Sequence, residues 1–354
     1  MQLKQSRVLG LVTLACVAVI TSHCYLTELS AWSASIFVIA SGYFLSAAHY
    51  DDFPDGVGVK SALCFAAGKL GKIFPLYILC IIAAFLPRLY FSLKGFSALD
   101  SEFMIGAFFN VFLLQAWTPV YVFTVNGVGW YFSVCVLLFA LFPFILTFVR
   151  RIGTIRGCLA AAAAVTLVQL AVSYLSCRFL PVGDVKWFNL CFPPFRVFDF
   201  TLGVIIGHII KGFPRPEKSP AAASAAELSA VFLTVLSIYI FYRIYLNAEL
   251  NWIGYTLLFA APTFALVLVF ARGEGFVSAV IGNRFFRRLG MTGAAAYIVH
   301  ALVISNTISL AVRLGISVGV QHVLVPAASV VLSFLIGHIW ALMQRKASSA
   351  HAAG

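Results

Sequence analysis

Along this chain, long apolar runs alternate with short polar gaps. The runs lie near 8–26, 32–49, 71–88, 128–149, 157–176, 195–211, 226–246, 253–271, 294–313 and 321–342. A helix needs roughly 20 mostly apolar residues to cross the hydrocarbon of a bilayer, so each run predicts a transmembrane helix. An eleventh stretch, "EFMIGAFFNVFLLQAW" (102–117), is too short for this pattern and is expected to be interfacial or re-entrant. The first run follows Lys4 and Arg7, as a signal peptide would, but "TSHCYLTELS" behind it lacks a small-x-small cleavage site and a second run begins almost at once. It therefore reads as a retained span. Composition agrees: 62% of the 354 residues are hydrophobic and 10% charged, and the mean hydropathy is +1.00. A water-soluble domain of this size could not hide that much apolar surface. The expectation is an all-α, polytopic membrane bundle of about ten helices.

Charge sets the orientation. With the N-terminus cytoplasmic and 102–117 not crossing, most of the 24 basic residues fall on the cytoplasmic side, among them Lys69, Lys72, Arg150, Arg151, Arg272, Arg284, Arg287, Arg288, Arg345 and Lys346. Counting 102–117 as a span would move every later cluster to the other side. The positive-inside rule therefore places both termini in the cytoplasm. It also accounts for the net charge of +12 without a nucleic-acid partner; the partner implied is the lipid bilayer. The eight cysteines show no metal-ligand spacing, and oxidation among Cys24, Cys177 and Cys191, near the outer face, stays open. No internal repeat is visible. A Pro-, Ala- and Ser-rich connection at 211–227 reads as a flexible loop. The whole is expected to be one domain over 1–346 with a short cytoplasmic tail, 347–354.

Ionisable groups within spans are costly and so become candidates for function. Four places qualify: His23, the pair Arg196 and Asp199, His208, and His300. Arg196 and Asp199, three apart, share a helix face and read equally as a structural ion pair or a substrate contact. His208 sits near an inner helix end. A neutral imidazole can take a proton from a hydroxyl, yet on that ground alone His23 and His300 each read as structural more often than catalytic.

Five stretches in order carry a resemblance. "SIFVIASGYFLSA" (35–47), "KLGKIFPLYIL" (69–79), "NGVGWYFSVCVLLFALFP" (126–143), "FRVFDFTLGVIIG" (195–207) and "FFRRLGMTGAAAYIVHALV" (285–303) together resemble the acyltransferase-3 family of integral membrane acyltransferases. The resemblance implies transfer of an acyl group, usually acetyl from acetyl-CoA, to a hydroxyl of a surface or exported glycan such as lipopolysaccharide. The setting it implies is a bacterial inner membrane. Acyl-CoA would be a substrate rather than a resident cofactor, and the acceptor a carbohydrate, lipid-linked or free. The family's first helix carries Arg, ten residues, then His; His23 matches the His, but Val12 stands in place of the Arg. The family's basic pair is Lys69 and Lys72 here.

On that basis His23 is the catalytic candidate. Lys69, Lys72, Arg287, Arg288 and His300 are expected to hold or line the path of the donor. Trp130, Arg196, Asp199, Asn126, Ser41 and Tyr43 are candidates for substrate contact, with helix packing as the plain alternative for Ser41 and Tyr43 and interfacial anchoring for Trp130. A ninth span starting near 294 puts His300 about 9 Å from the inner surface at about 1.5 Å per residue. It then lies some 15 Å from His23 along the membrane normal, so the two histidines are not expected to pair. The competing class is a transporter or exporter of a polysaccharide or small molecule, which would move its substrate without covalent change and would favour inverted repeats.

Overall fold

The computed structural model describes residues 2–26, 29–53, 57–95, 100–214, 219–244 and 250–353, with the side chains of 2–5, 25–26, 251 and 347–353 left aside. The expected tail 347–354 therefore lies almost wholly outside the described side chains. Fifteen α-helices follow one another among the described residues. They are α1 (Gln2–Thr21), α2 (Leu29–His49), α3 (Val59–Leu70), α4 (Phe74–Leu93), α5 (Ser101–Val111), α6 (Trp130–Val149), α7 (Ile155–Phe179) and α8 (Val182–Leu190). After them come α9 (Pro193–Gly212), α10 (Pro220–Ile244), α11 (Asn251–Gly254), α12 (Leu257–Arg272), α13 (Phe276–Ile281), α14 (Arg284–Arg313) and α15 (Val318–Ala353). Ten helical stretches are long and apolar enough to cross a membrane, α8 and α9 counting as one and α11 and α12 as another. The protein is an all-α, polytopic membrane bundle.

In lipid every backbone polar group must be satisfied within its own segment, which is why apolar runs of this length become helices. The face holding Lys69, Arg150 and Arg284 is called the basic face below, and the other the distal face. The stretch α5 has only 11 residues, about 16 Å of helix at about 1.5 Å per residue. Asp100 caps its start by accepting from the Phe103 N–H at 2.7 Å, and Leu113, with φ 56°, turns the chain just beyond its end. Its flanks, the end of α4 and the start of α6, both lie at the distal face, so α5 does not cross, as the charge pattern requires.

Three boundaries differ from expectation. The ninth span begins at Arg284 rather than 294, because Asn283 caps it with hydrogen bonds from Phe285 N–H (2.8 Å) and Phe286 N–H (3.1 Å). Hydropathy finds only the apolar part of such a helix. The third run, expected from about 71, begins at Phe74: Lys69 lies in the last turn of the separate helix α3 and Lys72 in the turn before α4. Pro75, without an N–H, suits the first turn of α4 and enforces the break. The connection expected to be loose at 211–227 is already helical from Pro220, and buried Glu227 within it accepts from Gly275 N–H and Ser278 N–H.

The core is built on α2 and α9, the most buried of the spans. They approach closely because of glycine. A Cβ on Gly203 would stand 2.0 Å from the Ile39 carbonyl oxygen, and one on Gly42 would stand 2.3 Å from that of Phe200. Small residues let helix backbones meet in lipid, where no hydrophobic force drives them together. Around this pair stand α1, α6, α7 and α12, and α14 packs against α1, while α4, α7, α10 and α15 turn mostly exposed apolar side chains to the hydrocarbon.

Candidate functional site

At the distal end of α1 the chain loosens into a π-helical turn, Ser22–Leu26, that carries His23. Such turns are rare and recur at functional sites. His23 is exposed at the floor of a cavity of about 370 Å³. Polar groups there come from Ser22, Ser30, His23 and Lys186, and aromatic faces from Phe37, Phe123, Trp130 and Tyr297. A larger hollow, about 460 Å³ between α4, α14 and α15, is lined almost wholly by apolar side chains and reached by neither histidine.

Behind His23 stands His300, fully buried. Its Nε2 lies 3.2 Å from His23 Nδ1, and the ring centroids are 5.1 Å apart. The expected separation of some 15 Å is therefore wrong, and the cause is the boundary of α14. Counted from Arg284, His300 lies about 24 Å along its helix at about 1.5 Å per residue, far enough from the basic face to meet His23 at the distal end of α1. Rather than lining a path near the basic face, His300 backs His23.

The proton positions follow from the partners. His300 Nδ1 faces the backbone carbonyl of Tyr297 at 2.5 Å. A carbonyl only accepts, so His300 Nδ1 carries the proton, and in the neutral ring Nε2 is the acceptor. His23 Nδ1–H then donates to it. That assignment makes Nε2 the unprotonated nitrogen of His23, the form a general base requires.

A second cavity, about 240 Å³, lies nearer the basic face, among Leu9, Val12, Ser41, Phe44, Gly290 and Ala294. Phe37 and Tyr297 line both cavities. With Tyr131 they form a partition of three rings in edge contact, centroids 5.3 to 5.9 Å apart. Ser41 fixes that partition through a 3.0 Å hydrogen bond with the Tyr131 hydroxyl. Val12 thus borders open space. Arg7, the nearest basic residue in sequence, does not fill it: its guanidinium donates to the Arg272 carbonyl at 3.4 Å.

Arg287 is half-buried and Arg288 exposed, near the start of α14. Arg287 shares a helix face with Met291 and Ala294, which line the second cavity. Lys69 is half-buried and Lys72 exposed at the same face of the protein. Arg196, Asp199, Asn126 and Tyr43 are sealed within the protein. Arg196 and Asp199, 1% and 0% exposed, form an ion pair at 2.8 Å. Arg196 also reaches Ser35 Oγ (3.3 Å) and the Asn189 carbonyl (3.4 Å), and Gln169 donates to Asp199 at 3.3 Å. Neither lines the cavities described here, and their contacts tie α9 to α2, α7 and α8. Tyr43 is buried beside the Gly42 contact. Asn126 is buried and donates to the Ile298 carbonyl at 3.2 Å. It follows Val125, whose φ of 58° is costly for a β-branched residue, and it anchors the loop that brings Gly127 and Val128 to the first cavity. Trp130 lines that cavity directly.

Sequence reasoning passed over Tyr297, Phe37, Tyr131 and Lys186. Tyr297 alone had a signal, standing three residues before His300 on the same helix face. His208 is committed elsewhere, its Nδ1 bonded to the Tyr50 hydroxyl at 2.7 Å and its Nε2–H donating to the Ile152 carbonyl at 3.0 Å. Cys24, Cys177 and Cys191 are free thiols. Among the described residues no group of three or more His, Cys, Asp or Glu could hold a metal ion.

Residues 11–342 match a protein family described as an acyltransferase domain. Among curated proteins the chain is similar to Acyltransferase MdmB of Streptomyces mycarofaciens, 24% identical over 202 residues. That alignment covers 54% of this chain and 49% of the relative, so the match spans about half the length of each. No solved structure matches.

Proposed function

Because the chain belongs to this acyltransferase family, matched over residues 11–342, we propose that it is an integral membrane O-acyltransferase. It moves an acyl group, acetyl in the simplest case, from acyl-CoA at the basic face to a hydroxyl of a glycan in the distal cavity. The observation that carries this reading is the His300–His23 pair, which leaves an unprotonated imidazole nitrogen at the floor of a cavity with polar and aromatic walls. Aromatic rings beside hydroxyl and amine groups suit a sugar, whose C–H faces stack while its hydroxyls hydrogen-bond.

The chemistry is general-base catalysis. His23 Nε2 takes the proton of the acceptor hydroxyl as its oxygen bonds to the thioester carbonyl carbon. The imidazolium that forms keeps its Nδ1–H on His300. Collapse of the tetrahedral intermediate breaks the carbon–sulfur bond, and the departing thiolate takes the proton back from His23 Nε2. The phosphates of CoA are met by Lys69, Lys72, Arg287 and Arg288. The arm of the donor lies in the second cavity, and the thioester meets the acceptor at the partition of Phe37, Tyr131 and Tyr297. The positive-inside asymmetry supports a cytoplasmic basic face with both termini on that side, and a bacterial inner membrane is the setting that the family resemblance favours.

The test is O-acylation of the host's surface glycan, read by mass, with wild-type chain and with His23→Ala at equal membrane abundance. Loss of the acyl mass on deletion and in His23→Ala is expected; full acylation in the variant overturns the assignment.

A further inference from the structure

Just past the last turn of α2, three side chains from two helices and the loop between them form a chain of polar contacts. The Asp52 carboxylate lies 2.5 Å from His49 Nδ1, and Lys69 Nζ lies 2.5 Å from His49 Nε2. A carboxylate accepts, so Nδ1 carries the proton and Nε2 offers its lone pair to the ammonium. An aromatic floor holds the group in place. His49 meets Phe65 edge-on at 5.1 Å, Lys69 Nζ lies 5.1 Å from the Phe65 centroid, and Phe65 stacks on Phe142 of α6 at 5.5 Å.

What matters is which group touches the lysine. Had Asp52 met Lys69 directly, the pair would have been neutral. Here an uncharged imidazole stands between them, so the ammonium is oriented without being cancelled. It uses one of its three N–H donors on His49. A flexible lysine is a poor anion receptor until its stem is held, and this arrangement holds it. The location fits a ligand: His49 is five residues beyond Phe44, a wall of the second cavity, hence about 8 Å closer to the basic face at about 1.5 Å per residue. Lys72 lies just beyond, its carbonyl accepting from Gln344 of α15.

We infer that His49, braced by Asp52, is a positioning residue that presents the Lys69 ammonium to the phosphates of the donor. The inference rests on the acyl-CoA reading above. The experiment uses the purified full chain in lipid nanodiscs, with CoA and with S-acetylpantetheine, which lacks the nucleotide and its phosphates. Wild type is expected to bind CoA. His49→Ala should weaken that binding about tenfold, the loss of one charge-assisted contact, and should raise the acetyl-CoA KM more than it lowers kcat. His49→Gln, whose amide can donate to Asp52 and accept from Lys69, should restore most of the affinity, and Asp52→Asn should lie between. The KM for S-acetylpantetheine should not follow this order. If wild type binds no CoA, the donor reading falls and this inference with it. If wild type binds but His49→Ala binds equally well, or loses CoA and S-acetylpantetheine alike, the positioning role alone is overturned.

Discussion

His300 Nε2 sits 3.2 Å from His23 Nδ1, joining residues 277 positions apart in one buried-to-exposed relay that begins at the Tyr297 carbonyl. The two histidines are unequal: only His23 faces the cavity. Replacing His23 with Ala should lower single-turnover acyl transfer by about 10²–10⁴-fold, the usual contribution of a general base. His300→Ala leaves that base in place but removes the group that sets its tautomer, so a smaller loss of roughly tenfold or more is expected. Equal losses for the two variants would contradict this division.

The second cavity should control the donor and not the acceptor. A Cβ on Gly293 would lie 3.3 Å from both Cys16 Sγ and Val12 Cγ1, so Gly293→Leu pushes its side chain into that space. The expected result is a rise of about tenfold or more in acyl-CoA KM, the loss of one well-formed set of contacts, with the acceptor KM little changed. Val12→Phe should act alike. Steady-state kinetics against each substrate in turn read this directly.

Arg196 and Asp199 should answer as structure rather than chemistry. Truncating one partner of a buried ion pair leaves an uncompensated charge, at a cost of about 3–5 kcal/mol. Arg196→Ala should therefore lower the unfolding temperature and membrane abundance, while the double replacement Arg196→Met with Asp199→Leu recovers much of the loss. Activity per folded molecule in that double variant should stay near wild type.

Close packing of α2 on α9 gives a fourth expectation. Any Cβ at Gly203 meets the Ile39 carbonyl oxygen at 2.0 Å, and a backbone atom cannot turn aside as a side chain can. Gly203→Val should separate the helices and reduce thermal stability in detergent by more than the same change at Gly183, which has nothing within 4 Å.

Lys69 gives a pH dependence. Burial first, and then the neighbouring Lys72, lower its ammonium below the ordinary lysine range, with Asp52 opposing. A lowered lysine loses its proton, and with it the attraction for phosphate, earlier as pH rises. Donor affinity should thus decline on the alkaline side before an unperturbed lysine would titrate. Lys69→Arg, which keeps its charge throughout, should move that limb to higher pH in a titration of CoA binding.

Much of the architecture was legible in the chain, because lipid imposes one rule on every span: an apolar run of sufficient length becomes a helix. The short stretch 102–117 was readable too, since basic residues on the later loops forbid its crossing. The resemblance rested on five motifs in order, and the match over 11–342 bears it out. Polar helix starts were not legible by hydropathy. Arg284, Arg287 and Arg288 disguised the first turns of α14, and that single error separated two histidines that touch. Asn283, a good capping residue, was the available signal.

By itself the sequence determined which segments are helices, which charges lie at one face, and that His23 deserved suspicion. Only the tertiary structure decided what His23 faces. Tautomer, partner and access depend on which helices lie side by side and at what height, and those are fixed by contacts between distant residues. The Gly42–Gly203 approach, the Asn283 cap and the π-turn at Ser22–Leu26 are such determinants. A helix carries its own hydrogen bonds, so its local pattern records its existence fully and its neighbours hardly at all.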